Sequence, residues 1–171
     1  MTTALLRSAL LVALLCAASC STATAPPEPT TTPPTSDPAA EALAAYERFW
    51  TVTDSALAAP GSRDWLPDLR GVATGPALDS LVTDVENYAS LPAHTEGQVT
   101  RDPAVQQVLG TRVQIVDCVD LGDSRLVSDT TGAVLDDLTN RVPRYRFRAE
   151  VVSTNSQWLV ERAVPALDEP C

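Results

Sequence analysis

Residues 21–37 read Ser-Thr-Ala-Thr-Ala-Pro-Pro-Glu-Pro-Thr-Thr-Thr-Pro-Pro-Thr-Ser-Asp, with five prolines, eight Ser or Thr and no large apolar side chain. A segment with nothing to bury cannot offset the entropy of ordering it. It reads as a linker of polyproline II character. At about 3.1 Å per residue it reaches roughly 50 Å. This tract confines any packed core to residues 38–171, and no second linker or internal repeat divides that stretch. One domain is the expected size class. The chain is 44% hydrophobic, enough for a real core there. Its 22 acidic residues against 12 basic ones argue against non-specific nucleic-acid binding, which needs Lys and Arg to displace phosphate counterions. All the basic residues are Arg and none is Lys, a composition that fits a GC-rich coding bias.

Upstream of the linker, residues 1–19 read as a targeting segment. Arg7 supplies the charge of a short basic region, and Ala9 to Leu15 form an apolar run. That run is too short to span a hydrocarbon core of ~30 Å. Ala17-Ala18-Ser19-Cys20 resembles a bacterial lipobox, with Ala17 where the pattern usually carries Leu. The resemblance implies cleavage before Cys20 and a diacylglyceryl thioether on its sulfur, with a palmitate-type acyl chain as the usual further addition. The alternative is an ordinary secretory signal, since Ala17 and Ser19 also fit an A-x-A-like site. Cysteine arithmetic favours lipidation. Cys16 leaves with the signal, and a lipidated Cys20 leaves Cys118 and Cys171 as an even pair for an oxidising compartment. Two or three acyl chains, at about 0.8 kcal/mol per buried CH₂, make a stable anchor where one alone is marginal. The expected location is the extracytoplasmic face of the cell membrane.

Within residues 38–171, Asp37 and Pro38 suit the N-cap and first position of a helix. Leu43, Tyr46, Trp50 and Leu57 then recur at helical spacing up to Ala58-Ala59-Pro60-Gly61. A short helical turn is expected at Asp64-Trp65-Leu66. Gly75-Pro76 opens a second long helix, with Leu78, Leu81, Val82, Val85 and Tyr88 on one face and Pro92 after it. From residue 94 the period changes to two. Strands are expected at residues 98–101 and 104–109, interrupted by Pro103, and again at 112–119, 144–151 and 157–164. Residues 120–141 read as one long connection. Helices followed by antiparallel strands give an α+β domain, the helices packed on a curled sheet.

That order, with Cys20, the Asp117-Cys118-Val119-Asp120 strand end, Thr131-Gly132, Trp158-Leu159-Val160 and Cys171, resembles small actinobacterial lipoproteins of uncharacterised function. These carry a nuclear transport factor 2-like, or cone-fold, domain. The resemblance covers most of residues 38–171 and implies a fold and a place but no agreed activity.

Cys118 and Cys171 are expected to be bridged; the alternative is a pair of buried thiols. Their spacing matches no zinc pattern, and no metal or cofactor is implied. His94, the single histidine, falls in the turn after the second long helix, a solvated position or a general base. No G-x-S-x-G elbow is present. Asp117, Asp120, Asp123 and Asp129 lack the alternate spacing and closing Glu of a calcium loop. Arg144, Arg146 and Arg148 alternate along one strand, read as a wet face paired with Glu150, Glu161 and other cross-strand acids or as a seat for an anion.

Cone folds often enclose a pocket between the first helix and the sheet, and Tyr46, Trp50, Tyr88 and Asp117 are its candidate lining. The expected function is therefore a lipid-anchored binding or scaffold module of the envelope without catalysis. Its partner would be an envelope protein or a small apolar ligand. The alternative is a small isomerase- or cyclase-like enzyme with Asp117 as carboxylate base and a tyrosine as oxyanion donor.

Overall fold

The computed structural model describes residues 37–171; the signal segment, Cys20 and all of the linker but Asp37 lie outside the described residues. Helix α1 spans Pro38–Ala58. The Asp37 side chain accepts from the Ala39 N–H at 3.0 Å, and proline occupies the first turn, where its missing N–H costs nothing. Ala42, Ala45, Tyr46, Phe49, Thr53 and Ala56 are buried, the stripe of a helix with one face in a core. The short turn expected at 64–66 begins later and runs longer, as α2 (Leu66–Arg70) behind Trp65. Helix α3 spans Gly75–Ser90 and buries Ala77, Leu81 and Val85.

Seven strands follow: β1 (Ala93–Glu96), β2 (Thr100–Arg101), β3 (Ala104–Leu109), β4 (Arg112–Asp120), β5 (Arg125–Ser128), β6 (Arg144–Thr154) and β7 (Gln157–Ala166). The main sheet runs β2-β4-β6-β7 with β3 also on β4, and every pairing is antiparallel. Because β2 and β3 pair successive parts of one edge of β4, they are one edge strand broken at Asp102-Pro103, as a proline without a ladder donor requires. The sheet is strongly curled. Its inner face presents Val113, Ile115, Ala149, Val151 and Val160, buried in one core with residues of α1 and α3, and Val119, which is also buried.

The structure corrects the sequence reading in two linked places. His94 lies in strand β1, and the supposed long connection contains β5, its antiparallel partner, with Glu96 opposite Arg125. Both strands are four residues long, too short for a period of two to stand out. On the outer face, Glu150 and Glu161 pair with Arg112, each at 2.6 Å, and Arg148 pairs with Glu169 at 2.6 Å. Thus Arg144, Arg146 and Arg148 do face solvent, but Glu150 and Glu161 are not their partners, and the acid that Arg148 takes lies beyond the last strand. Arg112 opposes Val152, diagonal to Glu150, and a bulge at Glu150/Val151 adds Glu161 to the group.

Cys118 and Cys171 form a disulfide with a Cα–Cα distance of 5.9 Å, within the range that geometry allows. It fastens the last residue to the central strand β4. Among the described residues no helix is long and apolar enough to cross a membrane.

Candidate functional site

Alternation along β4 sends Val113, Ile115, Asp117 and Val119 to the inner face. One carboxylate therefore enters an otherwise apolar core. The Tyr46 hydroxyl donates to Asp117 Oδ2 at 2.9 Å, and the Asp102 N–H donates to Oδ1 at 2.7 Å. Asp102 stands at the break that Pro103 makes in the edge strand, where its N–H needs an acceptor. Burial pushes the Asp117 carboxyl above its ordinary pKa, partly opposed by these two bonds. Burial also raises the Tyr46 hydroxyl, so it stays a neutral donor.

Two further aromatic residues of α1, Phe49 and Trp50, continue from this pair. Tyr46 stacks on Phe49 at 6.4 Å, and Trp50 meets Phe49 and Phe147 edge-on at 5.0 and 5.1 Å. Such geometries suit the ring quadrupole. Beyond Trp50 the interior is open. A cavity of about 680 Å³ lies between the second half of α1, the end of α3, the β1–β5 pair and the ends of β4 and β6. Trp50, Leu57, Tyr88, Val119, Leu126 and Tyr145 supply its apolar walls. A smaller hollow of about 540 Å³ lies against the other side of Trp50 and Leu57, toward Phe147 and Pro165. Asp84 borders it, and burial raises its carboxyl pKa.

The charged groups of the larger cavity are held in place. Arg101 grips Asp54 through two bonds of 2.7 and 2.8 Å while its guanidinium sits 4.1 Å over the Trp50 ring. Arg141 donates to the Ser124 and Leu121 carbonyls at 2.9 and 3.0 Å and to Asp136 at 3.2 Å. Arg125 donates to the Gly122 and Ser124 carbonyls at 2.6 and 2.7 Å.

Of the four residues read from the sequence as one pocket, the structure joins Tyr46 to Asp117 and sets Trp50 beside Tyr46, ring centroids 6.0 Å apart. Tyr88 lines the large cavity with Trp50 but bonds to neither member of the pair. Asp117 does not line that cavity, and both its oxygens are already engaged. His94 has Asp129 at 2.5 Å on Nδ1 and Glu96 at 3.1 Å on Nε2. Both ring nitrogens are thus committed to carboxylates. Arg101, Arg125, Arg141 and Tyr145 are cavity residues that sequence reasoning missed. Tyr145 carried a signal, since it opposes the wet arginines of its own strand. Arg125 and Arg141 carried none, because they lie in a stretch read as loop. Among the described residues no group of three or more His, Cys, Asp or Glu side chains is arranged to hold a metal ion.

No protein-family model matches the sequence, and the search of curated proteins finds no match. Solved structures do resemble it. The intermembrane space region of the chloroplast protein ARC6 superposes with a TM-score of 0.57 at 18% identity, covering 77% of this chain and 98% of that one. A candidate aromatic ring hydroxylase from Novosphingobium aromaticivorans superposes less closely, with a TM-score of 0.46 at 16% identity, covering 78% of this chain and 98% of that one. At such identities the first likeness is one of fold alone. What that likeness shares with this chain is the α+β architecture described above, helices followed by a curled antiparallel sheet.

Proposed function

We propose that this chain is a lipid-anchored, outward-facing binding module of the cell envelope that holds a small apolar ligand in the cavity beside Trp50. The reading places it among small actinobacterial lipoproteins, on the strength of the leader, the Cys20 context and the all-Arg cation set. One observation carries the binding role: a cavity of about 680 Å³ with aromatic and aliphatic walls and a set of charged side chains around them, in the size range of small-molecule sites. The geometry favours binding over catalysis. The carboxylate that a proton-transfer reaction would need, Asp117, is turned into the core with both oxygens occupied.

Two measurements test the two halves. For the anchor, the intact mass of membrane-extracted protein should show a diacylglyceryl group on Cys20, and Cys20→Ala should move the protein to the soluble fraction. A variant still fully membrane-bound sinks the anchor. For the cavity, full-length protein carrying Cys20→Ala, purified without detergent, is titrated with dodecanol and followed by native mass spectrometry. One-to-one binding, weakened by Trp50→Ala, is the expected result. Absence of any bound dodecanol removes the ligand-binding reading.

A further inference from the structure

Five side chains of charged type line the larger cavity, three arginines (Arg101, Arg125, Arg141) against two aspartates (Asp54, Asp136). The local excess is positive in a chain whose formal net charge is −10. Asp54 is consumed by the two-bond grip of Arg101. Asp136 accepts from Arg141 and also from the Leu126 N–H at 2.7 Å. Arg125 is the remaining cation. It forms no ion pair among the described residues, and its two bonds both leave from Nη1 to backbone carbonyls. Nε and Nη2 have no acceptor among the described residues.

The strand register shows why. The residue opposite Arg125 on β1 is Glu96, a cross-strand pair that would ordinarily neutralise it. The Glu96 carboxylate is instead on His94 Nε2 at 3.1 Å. A guanidinium stays charged at any working pH and offers its N–H groups as a fixed fork. That fork matches a carboxylate, and here it stands at the edge of walls formed by Leu57, Tyr88, Val119 and Leu126.

We infer that the cavity takes an anionic amphiphile, its single carboxylate seated on Arg125 and its hydrocarbon laid along Leu57, Tyr88 and Val119. The inference rests on the binding reading above and narrows it from an apolar ligand to one with a charged head.

The test compares dodecanoate, dodecanol and dodecylammonium, three probes with one chain and different heads. Each is titrated into full-length protein carrying Cys20→Ala. Dodecanoate should bind about tenfold or more tightly than dodecanol, the usual gain of a charge-assisted hydrogen bond, and dodecylammonium more weakly than either. Arg125→Gln should abolish the preference for dodecanoate and leave dodecanol binding in place, while Arg125→Lys should keep part of the preference. The near-ultraviolet circular dichroism of each variant reports whether the Gly122–Arg125 turn has survived. If Arg125→Gln fails to fold, the three-probe comparison on the native side chain decides alone. Equal binding of dodecanoate and dodecanol overturns the headgroup assignment and leaves the apolar cavity standing. A preference for dodecanoate undiminished in a folded Arg125→Gln protein overturns the role of Arg125. Failure of all three probes to bind overturns this inference and the binding reading together.

Discussion

The hydroxyl of Tyr46 donates to Asp117 across 71 residues of sequence, at 2.9 Å and inside the core. The other Asp117 oxygen takes the N–H of Asp102. One carboxylate therefore ties the first helix, the central strand and the broken edge strand together. A buried polar group with all its bonds made specifies one arrangement of these elements, and with one bond missing it opposes folding.

Tyr46→Phe removes the donor and leaves a buried carboxylate oxygen without a partner. The expected loss is about 1–3 kcal/mol in the free energy of unfolding by urea. The double variant Tyr46→Phe/Asp117→Ala should lose less than the sum of the single losses, because the two side chains share one interaction. Strict additivity would show that the bond contributes nothing.

The Cys118–Cys171 disulfide closes a loop of 53 residues in sequence separation. By loop-closure entropy a bridge of that span stabilises by about 4 kcal/mol. Cys118→Ser/Cys171→Ser should lower the unfolding free energy by that order, and the native protein should do likewise under reductant. Free-thiol labelling of the native, unreduced chain checks the bridge itself: outside residues 1–20, no cysteine should react.

The long elements were legible, and the short ones were not. The Asp37-Pro38 start of α1, the Gly75-Pro76 start of α3 and the alternation of β4 and β6 each depend on local chemistry that a sequence displays. The strands β1 and β5 exist because they meet each other and cover the side of the cavity. Four residues apiece leave too few positions for a periodic signal. The facing of Asp117 depended on register, which one residue of slip would have reversed. Once the register is known, Asp117 falls inward with Val113, Ile115 and Val119. The cavity arginines were hidden for the same reason as β5: their positions follow from pairing across the fold.

Gly97 links β1 to β2 and borders the large cavity. Its φ is +83°, and a Cβ there would stand 1.9 Å from the carbonyl oxygen of Asp123. Neither the backbone conformation nor the space admits a side chain. Gly97→Ala should cost about 3 kcal/mol in unfolding free energy. It should also weaken binding of dodecanol, since the Asp123 turn must move. Gly110→Ala has open space around it despite a φ of +62°, so it should pay only for the backbone conformation, about 1 kcal/mol. Equal losses for the two variants would show that the contact with Asp123 plays no part.

His94 is held between Asp129 and Glu96, and their hydrogen bonds, that of Asp129 foremost, raise its pKa above the ordinary 6.5. A histidine whose folded pKa is raised contributes its stabilisation fully below the unfolded value and loses it as pH climbs through the folded value. The margin of native protein over His94→Gln in urea unfolding should therefore be largest at about pH 5 and smallest at about pH 9. Taking the difference between the two proteins at each pH cancels the titration of the carboxylates they share. A margin that is flat with pH, or that grows toward the alkaline side, would mean that the imidazole carries no proton between its two acids. The same loss of charge releases Glu96, the residue opposite Arg125. Dodecanoate binding should accordingly weaken over the pH range in which the margin disappears, while dodecanol binding stays level.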